Sequence, residues 1–244
     1  MWRYVYTVIK TLPRLPGALK DMENLAKRIT EKTEEYSEEE NYAYIRYVVD
    51  AMKQAGHVET EAFGIENLPK EGGYMMYPNH EGQWDVYGLI SVHDNPCTFV
   101  MDIRKSNRIF IKQIVDCIHA KRLDKIDNRQ AIKIINDVAK EVEAGRRYVL
   151  FPEGDFYPEK KNTLMDFKSG CFKASLKSKT PIVPVVLYDA YKVYNSWQLG
   201  KVKTQVHFLK PIQFEEYKDL NTHEIADLVK AKIQEKINEL DKRV

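Results

Sequence analysis

The amino-acid sequence contains no apolar stretch long enough to cross a membrane. Its longest run without Asp, Glu, Lys or Arg is nine residues, whereas a membrane-spanning helix needs roughly twenty mostly apolar residues. The N-terminus also lacks the apolar core and the cleavage site of a signal peptide, because charges at Arg3, Lys10 and Arg14 interrupt it. We therefore predict a protein without a transmembrane helix that stays on the cytoplasmic side.

The sequence also contains few cysteines and has almost no charge imbalance. The three cysteines, Cys97, Cys117 and Cys171, are widely spaced and form no C-x-x-C pair, which favours packing roles in a reducing cytosol. The 38 basic and 36 acidic residues leave a net charge of +2. This charge gives no general attraction to nucleic acid, and no zinc-finger spacing occurs, so we expect no nucleic-acid partner.

Three common enzyme motifs are missing: the G-x-S-x-G nucleophile elbow, the Walker phosphate loop and the G-x-G-x-x-G dinucleotide loop. Covalent serine catalysis and nucleotide binding therefore lose support. The composition is that of an ordinary folded protein, with 43% hydrophobic and 30% charged residues.

The N-terminus combines aromatic and basic side chains, and no acid appears before Asp21. Trp2, Tyr4 and Tyr6 alternate loosely with basic residues such as Arg3. Aromatic side chains with cations suit the headgroup zone of an anionic bilayer. A short helix or strand that packs on its own domain explains the pattern equally well.

The rest of the chain divides into a helical segment and an α/β region. Two helices are predicted at residues 18–33 and 38–54, the second begun by a capping box of Ser37 and Glu40. From residue 59 onward, short apolar runs alternate with amphipathic helices, which is typical of an α/β domain with both sheet faces covered. We predict an N-terminal helical segment, residues 1–58, and one α/β domain, residues 59–244.

Five strands are predicted in this domain, at residues 74–77, 98–101, 148–151, 182–187 and 205–209. A crossover helix is predicted at residues 129–144, with an apolar stripe formed by Ile132, Ile135, Val138 and Val142. A last helix, at residues 222–240, has the same apolar period and is predicted to pack on the sheet. The predicted fold class is α/β, with a mixed, largely parallel sheet flanked by helices and an N-terminal helical pair.

A histidine and an aspartate follow the first predicted strand. His80 lies just past the C-terminal end of that strand, where open α/β sheets place their ligands. If the Asp85 carboxylate accepts a hydrogen bond from one imidazole nitrogen, the other nitrogen is left as a base. Residues five apart point about 140° away from each other on a regular helix, so the pairing requires a turn near Gly82. The alternative is a structural histidine that caps or packs near the start of the next helix.

A second polar loop, Phe151-Pro152-Glu153-Gly154, follows another apolar strand. If the two strands are neighbours in a parallel sheet, both loops lie at the same end of the sheet and Glu153 reaches toward His80. A tight turn with an exposed carboxylate is the alternative.

A small basic cluster, Lys121-Arg122-Leu123-Asp124-Lys125, lies between these loops. Arg122 presents a planar fork that suits a phosphate group, although a solvated surface also produces such a cluster. Three further lysines follow the Glu153 loop and could extend a positive field: Lys160, Lys161 and Lys168.

A metal site is a third possibility for the histidine. His80-Glu81 begins like a zinc H-E-x-x-H motif, but position 84 is Trp rather than His. A metal ion could instead be held by His80, Asp85 and His93.

Taken in order, four segments of the chain resemble the four blocks of the glycerolipid acyltransferase family. The resemblance covers roughly residues 60 to 210, and its specific part is the N-x4-D block around the histidine. The segments are Asn79-His80 with Asp85, then Arg122, then Phe151-Pro-Glu-Gly154, then Ile182-Val-Pro-Val-Val-Leu187.

The resemblance implies acyl transfer by a histidine and aspartate dyad, with no covalent acyl-enzyme and no metal. His80 would remove the proton of the acceptor hydroxyl, and Asp85 would orient the imidazole and stabilise the imidazolium. The donor would be the thioester of acyl carrier protein or acyl-CoA, with no other cofactor. The acceptor, 1-acylglycerol-3-phosphate or a related lysophospholipid, would be held by Asn79, Arg122, Glu153 and Gly154.

The family's bacterial members work at the cytoplasmic membrane surface, some through an N-terminal helical pair. By this resemblance residues 1–58 would lie on the membrane, in a peripheral or monotopic way. The chain departs from the family pattern after Gly154, where Asp155 and Phe156 replace the usual Thr-Arg. The acceptor headgroup therefore stays open, and the missing arginine also fits a non-catalytic lysolipid-binding or remodelling protein on the same fold.

Overall fold

Short apolar strands alternate with amphipathic helices in the computed structural model, which describes residues 2–31, 37–108, 110–195 and 200–242. The strands are β1 (Val58–Phe63), β2 (Tyr74–Pro78), β3 (Thr98–Asp102), β4 (Lys121–Leu123), β5 (Arg147–Val149), β6 (Ile182–Tyr188) and β7 (Val202–Phe208). The helices are α1 (Trp2–Thr11), α2 (Ala18–Glu31), α3 (Glu38–Gly56), α4 (Asp85–Val92), α5 (Ile103–Ser106), α6 (Ile111–Cys117), α7 (Asn128–Glu143), α8 (Lys173–Ser178), α9 (Lys192–Asn195), α10 (Phe214–Tyr217) and α11 (Thr222–Asp241).

The strands of the described chain form one sheet in the order β1-β7-β6-β2-β5-β3-β4. Neighbouring strands are parallel except β6 and β7, which are antiparallel. The C-terminal ends of β6, β2, β5, β3 and β4 therefore lie together, at what we call the His80 end of the sheet. Because β1 and β7 run the other way, their first residues also lie at the His80 end. The predicted mixed, largely parallel sheet is confirmed.

The five predicted strands are observed, with shifted bounds, and the sequence analysis missed two. The missed strands, β1 and β4, are the two outer strands of the sheet. An outer strand is half solvated and needs no continuous apolar run. Accordingly β1 reads Val-Glu-Thr-Glu-Ala-Phe, and β4 is only three residues long. The apolar-run criterion cannot detect such strands.

Two apolar layers cover the two faces of the sheet. On one face, α2 and α3 contribute Met22 and Ile45 to the core that contains Met76 of β2. On the other face, α7 and α11 pack against Met75 of β2 through residues such as Val138. The boundary predicted between residues 58 and 59 falls just after Val58, the first residue of β1. The N-terminal helices share a hydrophobic core with the sheet.

The crossover helix is confirmed as α7, but its buried face differs from the predicted stripe. Ile134, Val138 and Val142 are buried, whereas Ile132 is 59% exposed. Residues two apart on a helix point in nearly opposite directions, so a stripe through Ile134 directs Ile132 into solvent. The prediction that Ile132 belongs to the buried face was wrong.

The N-terminal helical pair is also observed, as α2 and α3, preceded by the further helix α1. Ser37 caps α3 by accepting the Glu40 N–H at 3.2 Å. The predicted helix at 18–33 is described up to Glu31, and its last two residues lie outside the described residues. Among the described helices, none is both long enough and apolar enough to pass through a membrane.

Candidate active site

The loop that carries His80 begins with a side chain that extends the sheet. Asn79 follows β2 directly, and its amide pairs with the backbone of Leu187 in the neighbouring strand β6. The Asn79 Oδ1 accepts the Leu187 N–H at 2.8 Å, and Nδ2 donates to the Leu187 carbonyl at 2.9 Å. Asn79 therefore continues the β2–β6 ladder by one step. Both polar groups of its buried amide are used in this way, so the side chain anchors the loop to β6. The acceptor-binding role of Asn79 stays a prediction.

His80 and Asp85 meet across the turn that their spacing requires. The His80 Nδ1 and Asp85 Oδ2 atoms lie 2.6 Å apart, and Asp85 begins α4. The same oxygen accepts the N–H groups of Glu81, at 2.7 Å, and Gly82, at 2.9 Å. The Asp85 carboxylate thus stabilises the turn through two backbone N–H groups and also holds the imidazole in place. Because Nδ1 donates to an acceptor-only carboxylate, Nε2 is the nitrogen with a free lone pair.

Glu153 joins the His80 loop to the loop that follows β5. Its Oε1 accepts the backbone N–H of His80 at 3.0 Å, and its Oε2 accepts the N–H of Met165 at 3.3 Å. The expectation that Glu153 reaches the His80 loop from a neighbouring parallel strand is confirmed by this contact and by the β2–β5 pairing. Burial raises the pKa of Glu153 to about 7, and the two N–H donors counter only part of that effect. In this arrangement the side chain holds the loop in place.

A second buried glutamate, Glu81, ties the same loop to the segment after β6. Its Oε2 accepts the Tyr191 N–H at 3.2 Å, and the Asn79 amide lies 3.5 Å from its Oε1. Burial and the neighbouring charge of Asp85 raise the pKa of Glu81 well above its usual range, which favours the protonated carboxyl. Asn79, Glu81 and Glu153 therefore clamp the His80 loop from three sides, without using the imidazole.

Two phenylalanines enclose the imidazole of His80. The Phe151 ring stacks on it with a centroid distance of 4.2 Å, and the Phe156 ring meets it edge-on at 4.7 Å. The His80 side chain keeps 16% of its surface exposed, whereas Asp85 is fully buried. Apolar walls strengthen the electrostatic pairing of the two residues because they exclude water. Within the described chain, no hydrogen bond engages Nε2.

Two lysines pair with Asp155, the residue before Phe156. The Lys105 ammonium is 2.7 Å from Asp155 Oδ1 and 4.8 Å from the centroid of the Phe156 ring. The Lys125 ammonium is 3.5 Å from Asp155 and 3.3 Å from Asp102. Partial burial raises the pKa of Asp155, but the Lys105 hydrogen bond, the Phe156 N–H and the lysine charges outweigh it, so that this pKa falls to about 2. Asp155 thus pairs with two cations, and one of them, Lys105, lies over the ring that contacts His80.

Gly154 has a backbone conformation that only glycine adopts easily, with φ of +73°. A Cβ atom at this position would also lie 2.6 Å from the Lys168 ammonium. The Lys168 side chain therefore lies over Gly154, and the Lys168 N–H donates to the Pro152 carbonyl at 2.8 Å. These contacts close the loop on itself.

Arg122 is not brought to the other predicted site residues. Its guanidinium is 2.5 Å from Asp116 Oδ1 at the end of α6, and no described contact joins it to His80 or Glu153. Side chains alternate along β4, and Lys125 lies past the C-terminal end of the strand. The member of the basic cluster that touches the site is therefore Lys125. The acceptor-binding role of Arg122 stays a prediction.

The structure separates His93 from His80. The His93 Nδ1 donates to the Asn95 carbonyl at 2.7 Å, and its Nε2 lies 2.7 Å from the Tyr74 hydroxyl. Both ring nitrogens are therefore engaged in the core. In the described ranges of the chain, no three His, Cys, Asp or Glu side chains are grouped so that they could hold a metal ion.

The buried His93 makes stability depend on pH. Burial is the main reason that the pKa of His93 is lowered from 6.5 to about 4. The unfolded chain then binds the proton more readily, so stability is lost as the pH falls from about 6.5 toward 4, by up to about 3 kcal/mol. We expect His93→Gln to flatten this loss in urea unfolding curves measured from pH 7 to pH 4. The exposed His223→Gln should leave it unchanged, and a loss of equal size in both variants would contradict the assignment.

Sequence reasoning missed Lys105, Glu81 and the two phenylalanine walls. Lys105 could have been found, because it closely follows the predicted strand at 98–101 and the ends of parallel strands meet. Glu81 is adjacent to His80, but nothing local indicates that an acid between a histidine and a glycine is buried. The stacking of Phe156 depends on where the loop after β5 folds.

The part of the chain that carries this site matches a known family. The family model described as Acyltransferase matches residues 59–188, which include His80, Asp85 and Glu153. The chain is 26% identical over 197 residues to the 1-acyl-sn-glycerol-3-phosphate acyltransferase of Saccharomyces cerevisiae, covering 78% of this chain and 63% of that protein. It is 25% identical over 177 residues to the enzyme of the same name from Salmonella typhimurium, covering 71% and 70%.

A solved structure shows the same fold. The crystal structure of the 1-acyl-sn-glycerophosphate (LPA) acyltransferase PlsC from Thermotoga maritima superposes with a TM-score of 0.70. The match covers 98% of each chain at 14% sequence identity. The whole architecture, including the N-terminal helices, therefore has a known counterpart.

Proposed function

The chain belongs to the acyltransferase family, and from that membership we propose that it is an O-acyltransferase. The proposed reaction moves a fatty acyl group from an acyl thioester, acyl-CoA or acyl carrier protein, to the free hydroxyl of 1-acylglycerol-3-phosphate or a related lysophospholipid. The observation that carries the proposal is the 2.6 Å contact between His80 Nδ1 and Asp85 Oδ2 at the end of β2. The names of the relatives supply the acceptor class, since they act on acylglycerol phosphates.

In the proposed mechanism His80 is the general base. Its Nε2 takes the proton of the acceptor hydroxyl while Nδ1–H donates to Asp85, whose negative charge stabilises the imidazolium. Asp85 can do this because it is buried and its charge is not dissipated by water. The clamps on the loop hold the imidazole in position between the phenylalanine rings, so little reorganisation is needed when the proton moves.

The acyl group is then transferred in two bond changes. The hydroxyl oxygen attacks the thioester carbonyl and forms the new ester C–O bond, and the C–S bond breaks as the tetrahedral intermediate collapses. The proton held on His80 Nε2 passes to the departing thiolate, so a free thiol leaves and the imidazole is neutral again. No covalent acyl-enzyme and no further cofactor are required by this scheme.

The phosphate end of the acceptor is assigned to Lys105 and Lys125. Both ammonium groups pair with Asp155, the residue before Phe156, and Lys105 also lies over the Phe156 ring, which contacts His80. A phosphate can share them with Asp155 through charge-assisted hydrogen bonds. In this proposal Asp155 orients two lysines that bind the phosphate, whereas an arginine at position 155 would bind the phosphate itself.

We expect Lys105→Met to lower kcat/KM for a phosphate-bearing acceptor by about 10- to 100-fold, the loss of one charge-assisted hydrogen bond. The loss should appear mainly in KM, and a neutral monoacylglycerol acceptor should be affected much less. Lys112→Met is a matched control, because Lys112 also pairs with an aspartate at 2.7 Å but lies on α6. Equal losses with both acceptors would contradict the phosphate assignment.

The membrane surface is the proposed location of the reaction, on the cytoplasmic face. Helix α1 exposes Val5 and Ile9, with the exposed Leu12 just after its end, and the nearby Lys10 and Arg14 suit anionic headgroups. Its other side packs into the protein through Thr7, which is buried. An amphipathic helix of this kind fits peripheral or monotopic attachment.

The function is tested by incubating the purified protein with labelled acyl-CoA or acyl carrier protein thioester and a panel of lysophospholipids, then measuring the product masses. The proposal expects a diacyl product and one free thiol per turnover. Lysolipid binding without thioester consumption would instead favour a non-catalytic lipid-binding protein. Exhaustive chelation of metals should leave the rate unchanged.

A further inference from the structure

Two exposed isoleucines lie at the corner where β4 leads into α7. Ile126 is 76% exposed in the connecting loop, and Ile132 is 59% exposed in the second turn of the helix. Burying a side chain of this size is worth roughly 1.5–3 kcal/mol. Among the large hydrophobic side chains of the described residues, Ile126 is the most exposed, and Ile132 and Ile9 follow it. The two isoleucines therefore leave apolar surface in water at this corner.

Two cations accompany these isoleucines. Arg129 is a neighbour of both Ile132 and Lys133 on α7, because residues three and four apart lie next to each other on an α-helix. Both cations are exposed, and neither forms an ion pair within the described chain. The acid next to them, Asp127, caps α7 by accepting the Arg129 N–H at 2.9 Å. We call Ile126, Arg129, Ile132 and Lys133 the β4–α7 corner.

The β4–α7 corner lies at the His80 end of the sheet. It follows the C-terminal end of β4, and its neighbour Lys125 touches Asp155 in the loop that covers His80. The exposed Tyr157 lies two residues beyond Asp155, and tyrosine favours the membrane–water interface. The β4–α7 corner, Lys125 and Tyr157 thus place apolar, basic and aromatic side chains on this side of the His80 end.

Helix α1 lies at the other side of the same end. Arg3, near its start, donates to the Gly56 carbonyl at 2.9 Å and to the Gly200 carbonyl at 3.0 Å. These two residues closely precede β1 and β7, whose first residues lie at the His80 end. The strand order then puts α1 near β1 and β7 and the corner at β4. His80, in the loop after β2, lies between them.

We propose that the β4–α7 corner is a second membrane-contact surface, which rests on an anionic lipid bilayer together with α1. Contact at both sides turns the His80 end of the sheet toward the bilayer, where a lysolipid acceptor resides. The choice of a lysolipid acceptor rests on the proposed function. The vesicle-binding test of the surface does not depend on turnover. Membrane contact through α1 alone would leave the β4 side free to tilt away.

An acidic carrier protein is the competing occupant, since it would also match the two cations. The bilayer is favoured because the isoleucines protrude from a loop and a helix turn. A fluid apolar phase accepts such side chains without a complementary pocket, whereas a protein partner must supply one. Anionic headgroups meet Arg129 and Lys133 at the same depth.

The test is sedimentation of the full-length protein with vesicles of phosphatidylcholine containing phosphatidylglycerol. The double variant Ile126→Ser/Ile132→Ser should raise the apparent Kd by about tenfold or more. Ile65→Ser is the matched control, since Ile65 is also exposed but follows β1 at the opposite end of the sheet. Arg129→Gln/Lys133→Gln should weaken binding to the anionic vesicles, and added salt should reduce that difference.

Activity measurements then distinguish a failure of the membrane-surface proposal from a failure of the proposed function. The isoleucine double variant should lose activity on vesicle-borne acceptor but keep wild-type activity on a monomeric short-chain acceptor. Absence of turnover on every acceptor in the wild type would overturn the proposed function and leave the binding result standing. Unchanged vesicle affinity of the double variant would overturn the membrane surface. Unchanged affinity with a loss of rate only for the carrier-protein thioester would assign the corner to that protein instead.

Discussion

His80→Ala is expected to lower kcat for acyl transfer by about 10³- to 10⁴-fold, because it removes the base that accepts the hydroxyl proton. Each tenfold loss in rate corresponds to about 1.4 kcal/mol of transition-state stabilisation. At neutral pH an unassisted hydroxyl is almost entirely protonated, and it attacks a thioester poorly. The loss should therefore fall on kcat rather than on KM for either substrate.

The fold should survive this substitution. The contacts that clamp the loop use the Asn79 amide, the Glu153 carboxylate and the backbone N–H of residue 80, and none of them uses the imidazole. A thermal unfolding curve close to that of the wild type would establish this. His223→Ala is the matched control, because His223 is exposed near the start of α11. Wild-type turnover by a folded His80→Ala protein would refute the assignment of the base.

Asp85→Asn is expected to lower kcat by about 10²- to 10³-fold while the turn is retained. The amide oxygen can still accept the N–H groups of Glu81 and Gly82, which Asp85 Oδ2 accepts at 2.7 and 2.9 Å. What disappears is the buried negative charge that stabilises the imidazolium, and in water-poor surroundings that charge is worth several kcal/mol. The variant separates electrostatic stabilisation from loop architecture.

Asp85→Ala supplies the contrast, since it removes both the charge and the acceptor for the two N–H groups. It should lose rate like Asp85→Asn and also lose stability, by roughly 1–3 kcal/mol for the unsatisfied buried donors. Asp94→Asn is the matched control, because Asp94 is exposed and pairs with Arg46 on the surface. If Asp85→Asn retained full activity, Asp85 would be a structural cap of α4 and the dyad would be excluded.

The predicted strands and helices were those whose sequence signal is local. β6 is an uninterrupted apolar strand that is buried along its whole length, and α11 keeps a helical apolar period. β1 and β4 were missed because an outer strand is defined by its partner rather than by its own composition. For α7, the helix was predicted but its orientation was not, because Ile132 and Ile134 are equally apolar and only packing against the sheet distinguishes them.

The site shows the same division between contacts of residues close together in the sequence and contacts of residues far apart in it. His80 and Asp85 are five residues apart, so the turn between them is a local matter that could be predicted from Gly82 and the need for a non-helical path. Glu153, by contrast, accepts through its Oε1 the backbone N–H of His80, which is 73 residues away. From the sequence, Glu153 was expected to reach His80 only if the two preceding strands were parallel neighbours. The structure shows that β2 and β5 are such a pair.

The sequence by itself determined the class of fold, the ends of the strands that carry polar loops and the His80–Asp85 pair, because each depends on residues close together in the chain. Only the tertiary structure decided which cations reach the site. Arg122 and Lys125 belong to one cluster, yet one guanidinium pairs with Asp116 while the Lys125 ammonium meets Asp155. A shift of one residue along a strand reverses the face of a side chain. Charge and spacing in the sequence therefore show that a cation is near, and the packing of strands and loops decides which cation it is.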